Sequence, residues 1–423
     1  MLELIIAVFV IGYSLIALEH PLKINKAGSA IFMGIIIWTI YTLGWPDTNV
    51  SSQLSHHLSS IAEILFFLVG AMTIVEIIDA HDGFNLITNR ITTRSKLRLM
   101  WILAILTFFL SAILDNLTTT IVMVSLVRKI VERREQRLFF AGMIVISANA
   151  GGAWSPIGDV TTTMLWIGGQ ITTLNIIKTL IIPSVICALV PLIYVTIFQG
   201  KSLEGELAPI KKKQLDPENK LIFFMGVGGL MFVPVFKQAT HLPPYVGMMF
   251  VLGLIWIVSD LIHRKKDDQV KEKYNAANAL MRIDMPSLLF FLGILLAVAG
   301  LESLHVLEEL AMWMDDTIGN KDVIVMGIGL LSAIVDNVPL VAASMGMYDI
   351  SAYPPDDKIW EFIAYCAGTG GSVLIIGSAA GVAAMGLEKI DFIWYLRKMG
   401  FIALLGYIAG ALVYLLQFQI THG

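Results

Sequence analysis

One hydrophobic phrase is written twice in this chain. Ser111–Thr120 reads SAILDNLTTT and Ser332–Val341 reads SAIVDNVPLV. Downstream of the first lie Gly151, Gly152 and Gly158, answered after the second by Gly370, Gly371 and Gly377. Upstream, LFFL at Leu65–Leu68 returns at Leu289–Leu292. The offsets are 221, 219 and 224 residues, so one unit with fixed internal order has been repeated. Each copy sets an Asp-Asn pair and a glycine-broken stretch inside otherwise apolar sequence.

The chain is 57% hydrophobic and 15% charged, against about 25% charged for an average soluble domain. Apolar runs near twenty residues, the length that crosses a bilayer as a helix, recur from end to end. The fold class is therefore an all-α polytopic membrane protein, with the lipid bilayer as its first partner. Cys187 and Cys366 fall in hydrophobic stretches, which argues against a disulfide framework. The Met-Leu-Glu start lacks a basic segment and reads as a retained first helix, not a cleaved signal. Nothing in the chain implies nucleic acid, a soluble partner or an enzyme.

Of 29 Lys and Arg, 25 fall in six stretches: 19–27, 80–98, 128–137, 200–220, 263–285 and 387–398. The positive-inside rule makes these cytoplasmic. Only residues 99–127 separate two of them, so a single ~43 Å helix there would put basic ends on opposite faces. A re-entrant hairpin over 99–127 satisfies both ends, with Asp115 and Asn116 at its tip. The corresponding hairpin, 323–348, lies between acidic loops holding Glu302, Glu308, Glu309, Asp315, Asp316, Asp356 and Asp357, which read as external. The two hairpins thus enter from opposite sides, as in an inverted-topology repeat.

Spans are expected at 1–18, 28–45, 60–79, 138–168 (broken), 173–199, 219–236, 244–263, 286–304, 359–386 (broken) and 398–418, with both termini outside. The organisation is N-terminal scaffold helices at 1–59, repeat 1 at 60–199, a cytoplasmic linker at 200–220, scaffold helices at 221–285, and repeat 2 with the last helix at 286–423. The helices at 28–45 and 244–263 carry no polar residue at membrane depth and suit a scaffold.

Carboxylates at membrane depth are costly and point to function. Asp115 and Asp336 qualify, each followed by an Asn (Asn116, Asn337) whose amide oxygen can coordinate a cation. Thr118 adds a hydroxyl. The first break, NAGGAWSPIGDVTTT from Asn149 to Thr163, offers Asn149, Ser155 and Asp159, and Pro156 is expected to start its second half-helix. The second, GTGGSVLIIGS from Gly368 to Ser378, offers Thr369, Ser372 and Ser378. Backbone carbonyls freed at the glycines form a negative pole. Hard cations take such oxygen ligands. These four elements contain no Lys or Arg, which weighs against an anionic substrate.

Simpler roles exist for several residues. Asp159 can merely cap a helix, and the Asn side chains can merely satisfy loose carbonyls. Glu76 can snorkel or pair with another side chain, Lys178 can reach the headgroups, and His56 and His57 are expected in an external loop. Proteolysis is unsupported. Pro156 replaces the first glycine of an intramembrane aspartyl protease motif, and no His-Glu-x-x-His occurs.

DN in both hairpins, followed by NAGGAWSPIGDVTTT and GTGGSVLIIGSAAG, resembles the NhaD-type sodium/proton antiporters of the ion transporter superfamily. The likeness spans essentially the whole chain. It implies exchange of Na+ or Li+ for protons across a bacterial inner membrane, without a cofactor. It also implies a homodimer whose transport domain moves as an elevator against a scaffold. By position it assigns Asp115, Thr118, Asn149, Asp159, Asp336, Asn337, Ser372 and Ser378 to ion binding, with Asp115, Asp336 and Asp159 as proton-coupling groups. Asn116, Ser155 and Thr369 join them as further oxygen donors. Pro339 stands where repeat 1 has Thr118, and Ser378 where it has Asp159, so the halves are unequal. The alternative within the superfamily is an arsenite or organic-anion (dicarboxylate or citrate) carrier. Dicarboxylate carriers typically show Ser-Asn-Thr at the tips, and the Asp here favours a cation.

The topology has a direct test. Single cysteines near Lys96 and Glu132 should react with impermeant reagents only from the cytoplasm, and those near Asp316 and Asp356 only from outside. Finding Lys96 and Glu132 on opposite faces would turn the first hairpin into an ordinary span.

Overall fold

The structure, a computed structural model, describes residues 1–46, 48–199, 214–267, 271, 274–334 and 336–422. Every regular element among them is helical. Numbered in chain order, the longer helices begin with α1 (Leu2–Ala17), α2 (Lys26–Gly44), α3 (Val50–Ala80), α4 (Lys96–Leu114), α5 (Asn116–Ile130), α6 (Arg134–Ala153), α7 (Val160–Ile167) and α8 (Thr173–Gln199). After the linker come α9 (Pro217–Thr240), α10 (Pro244–His263), α11 (Met285–Ser303), α12 (Val306–Ile318), α13 (Lys321–Leu331), α14 (Asn337–Met347), α15 (Lys358–Gly370), α16 (Ala379–Glu388) and α17 (Phe401–His422). Eight described helices are long and apolar enough to cross a membrane, which makes this a multi-span membrane protein. Most of the linker expected at 200–220 lies outside the described residues.

Polar caps set where the helices start. Asn25, Asn49 and Ser95 each accept a backbone N–H at the start of α2, α3 and α4. The four caps that matter most stand inside the apolar sequence: Asp115 caps α5, Asp159 caps α7, Asp336 caps α14 and Ser378 caps α16. A carboxylate or hydroxyl there satisfies donors that lipid cannot reach.

The chain reverses at Asp115. Leu99, Met100 and Leu103 of α4 share a hydrophobic cluster with Leu126, Val127 and Ile130 of α5, so the second arm folds back along the first. The arms run from Lys96 to Ile130, slightly beyond the expected 99–127. At 19 residues, ~28 Å, the first arm alone is long enough to span.

Both halves use the same local contacts. Ser111 Oγ donates to Ala148 O at 2.6 Å, and Ser332 Oγ to Ala367 O at 3.1 Å. A Cβ at Gly151 would collide with the Phe108 carbonyl, and one at Gly370 with the Gly329 carbonyl. Only glycine lets each broken helix lie this close to its own hairpin. The halves also interlock, since α16 packs on α5 and α6 while α7 packs on α14 and α15. At one end of the bundle Arg137 Nε meets buried Glu388 at 3.0 Å. At the other, Thr172 N donates to Asp356 at 2.6 Å. Beside this block, α2 lies against α11, where Trp38 Nε1 donates to Leu296 O at 2.8 Å.

The structure departs from the sequence reading at four elements. The helix expected at 60–79 begins at Val50, so His56 and His57 are helical and not in a loop. The acidic segment read as loop contains α12, an amphipathic helix that buries Leu307 and Ala311. Pro156 does not start α7; it lies in the irregular link ahead of Asp159, which caps that helix at Val160. The helix expected over 28–45 starts at Lys26, and that residue reaches the polar centre described next.

Candidate functional site

Three amides and one carboxylate bind the hairpin tips to the helix breaks. Asn116 Nδ2 donates to Asn149 Oδ1 at 3.0 Å and to Asp159 Oδ2 at 2.5 Å. Asn149 Nδ2 donates in turn to Ser372 Oγ at 2.9 Å and Ser378 Oγ at 2.8 Å. Asn337 Nδ2 reaches Asp159 Oδ1 at 3.5 Å. The network thus joins α5, the first break, the second break and α14 into one closed polar cluster.

Asp159 is its centre. The residue is 1% exposed, and its Oδ1 also accepts the Thr161 N–H and hydroxyl, each at 2.9 Å. It is both a helix cap and the acceptor for two amides from opposite hairpins. Among the described residues no Lys, Arg or His pairs with this carboxylate. A buried charge without a partner is costly enough that the group is neutralised by what binds it.

Asp115 and Asp336 flank the cluster and are held differently. Asp115 accepts the Thr118 N–H at 2.7 Å and the Thr118 hydroxyl at 2.9 Å. Its backbone sits at φ 80°, ψ 160°, a region that strongly prefers glycine. Asp336 has a negative φ of -47°, and its Oδ2 lies 2.9 Å from Lys26 Nζ. Lys26 was absent from the sequence reading, where it was absorbed into a basic stretch. One signal could have found it, because a cation in the first turn of an apolar helix opposes the helix dipole.

Two of the expected donors turn away. Ser155 Oγ donates to Ala112 O at 2.5 Å, tying the break to the hairpin tip, and Thr369 Oγ1 returns to Tyr365 O of its own helix at 2.6 Å. Gly152 and Gly371 lie against the carbonyls of Gly158 and Gly377, which keeps each break narrow.

Two cavities meet this centre. A small one, about 40 Å³, is lined by Asp115, Asn116, Asp159 and Thr163 on one side and by Phe67 and Phe291 on the other. It has room for a small ion or a few waters. A larger one, about 660 Å³, runs from Thr118 past Glu76 and Asp79 to Lys129 and Arg282. Its far end is therefore bordered by residues of the basic stretches.

Paired hairpins, capped helix breaks and buried carboxylates on a multi-span helical frame are the hardware of a secondary transporter. The chain belongs to the family described as citrate transporter, CitMHS, whose profile matches residues 3–360. It is 51% identical over 411 residues to sodium/proton antiporter 1 of Arabidopsis thaliana, covering 96% of this chain and 71% of that protein. It is 47% identical to sodium/proton antiporter 2 of the same plant, covering 96% and 97%. The Na(+)/H(+) antiporter NhaD of Vibrio cholerae is 30% identical over 441 residues, covering 97% and 90%. The resemblance drawn from the Asp-Asn tips and NAGGAWSPIGD is borne out by these relatives.

The strain at Asp115 gives a prediction. Asp115→Gly and Asp115→Ala delete the same carboxylate, but only glycine adopts φ 80° freely. Asp115→Gly should be the more stable by about 1–3 kcal/mol, seen as a higher midpoint in thermal unfolding of the purified protein. Equal midpoints would mean that Asp115 carries no strain.

Proposed function

We propose that this protein is a secondary active antiporter that exports Na+ or Li+ in exchange for protons. The observation that carries the reading is Asp159: a buried carboxylate, ringed by amides and hydroxyls, with no cationic side chain among the described residues to neutralise it. Such a group holds either a proton or a small cation. Competition for one carboxylate is itself an exchange mechanism and needs neither cofactor nor separate proton pathway. Asn116 and Asn337 donate amide N–H groups to it, Asn149, Ser372 and Ser378 complete the polar network around it, and Asp115 with Thr118 forms the step between the small cavity and the large one.

The names of the plant and bacterial relatives support this reading. The family description favours citrate instead, and the site argues against it. Of the three carboxylates Asp115, Asp159 and Asp336, only Asp336 pairs with a cation among the described residues, and that cation is Lys26. A citrate anion would meet net repulsion.

We further propose that the repeats have inverted topology, that the block of hairpins and broken helices moves as an elevator against α2, α3 and α9–α11, and that the assembly is a homodimer in a bacterial inner membrane. The interlocked halves support a rigid moving block, and the NhaD relatives support the location. With the basic stretches in the cytoplasm, the 660 Å³ cavity opens inward. This state would load sodium for export.

Everted vesicles with a pH-sensitive dye test the reading. Na+ and Li+ should each drive proton movement, and K+, which needs longer bonds, much less. Asp115→Asn, Asp159→Asn and Asp336→Asn should abolish the response. Arsenite- or citrate-driven flux without a sodium response would move the protein to the organic-anion or arsenite carriers.

A further inference from the structure

The two Asp-Asn tips are alike in sequence and unlike in how their carboxylates are satisfied. In the first half the residue three positions on is Thr118, and its N–H and hydroxyl both bond Asp115. In the second half that position is Pro339, which has neither an N–H nor a hydroxyl to give. What remains from the chain itself is the Val338 N–H, at 3.4 Å from Asp336 Oδ1. Lys26 fills the gap with an ammonium 2.9 Å from Oδ2.

Lys26 is opposed by one feature of its position and favoured by others. It is the first residue of α2, where the helix dipole disfavours a cation. Its ammonium lies 4.4 Å from the centre of the Phe290 ring, on α11. The carboxylates of Glu19 and Asp284 are also near, and Glu19 Oε1 takes the Lys26 backbone N–H at 3.2 Å, not its ammonium. The ion pair crosses 310 residues of sequence, from the helices beside the block to the tip of a hairpin within it.

We propose that Lys26 is a tethered counter-cation for Asp336, occupying that carboxylate in the sodium-free carrier and leaving it when Na+ binds. This rests on the antiporter reading and deepens it. Lys26 is then a positioning residue that sets the apparent sodium affinity. The measured affinity is weakened by the fraction of carriers in which the lysine holds the carboxylate. The pair also ties the moving block to its surroundings until the ion arrives.

Binding of radioactive Na+ to the purified full-length protein in detergent reads this without transport. Lys26→Gln should bind Na+ more tightly, by about 3–10-fold, whereas Lys26→Arg, which keeps the cation, should stay within about twofold of the wild type. In the wild-type protein, Na+ but not K+ should raise labelling of Lys26 by an amine reagent severalfold, quantified by mass spectrometry. That second measurement needs no variant to fold. If the wild type binds no Na+, the antiporter reading fails and takes this inference with it. If the wild type binds Na+ but Lys26→Gln binds no more tightly, or Lys26 labelling ignores sodium, the tethered-cation role is overturned and the antiporter reading stands.

Discussion

A carboxylate sealed inside an apolar bundle governs the rest of this architecture. Asp159 is almost wholly buried where it lies, so the fold must bring polar groups to it. The nearest suppliers are four places where apolar helices stop. Each stop frees backbone donors and carbonyls, and of the four caps Asp159 and Ser378 belong to the cluster while Asp115 and Asp336 flank it. Breaking the helices and building the site are therefore one structural act. The glycines follow from it, because the broken helices can reach the hairpin tips only where no Cβ intervenes.

Unequal halves give this site its direction. The first tip satisfies Asp115 locally through Thr118 and stores backbone strain. The second tip has lost that local partner at Pro339 and borrows Lys26 from a distant helix. One tip carboxylate is thus tied to its own hairpin and the other to the surrounding helices. The block formed by α4–α7 and α13–α16 thus contains most of the candidate ligands, but one of its charges is balanced from outside.

Much of this was legible in the sequence because the same chemistry is spelled twice. The Asp-Asn tips, the paired glycines and the cap at Asp159 are short-range features, and repetition separates the tips and glycines from chance. The basic stretches pointed to a chain reversal at Asp115 through the positive-inside rule, and the chain does fold back there. Lys26 was not legible as a site residue, since its partner lies 310 positions away and its charge was already explained by topology. α12 was misread because its acidic face dominates, although Val306, Leu307, Leu310, Ala311 and Met314 carry helical spacing. His56 and His57 belong to a helix that continues past its apolar part, where hydropathy gives no stop. Ser155 and Thr369 have the right chemistry, but only three dimensions show their hydroxyls bonded elsewhere.

The central claim is that proton and sodium compete for one buried carboxylate. Proton release on sodium binding measures it most directly. Purified protein in weakly buffered detergent, given a step of Na+, should release protons to a pH dye, and choline should release none. Asp159→Asn should abolish that release while the protein stays monodisperse. Sodium binding without proton release, or undiminished release from Asp159→Asn, would contradict the account.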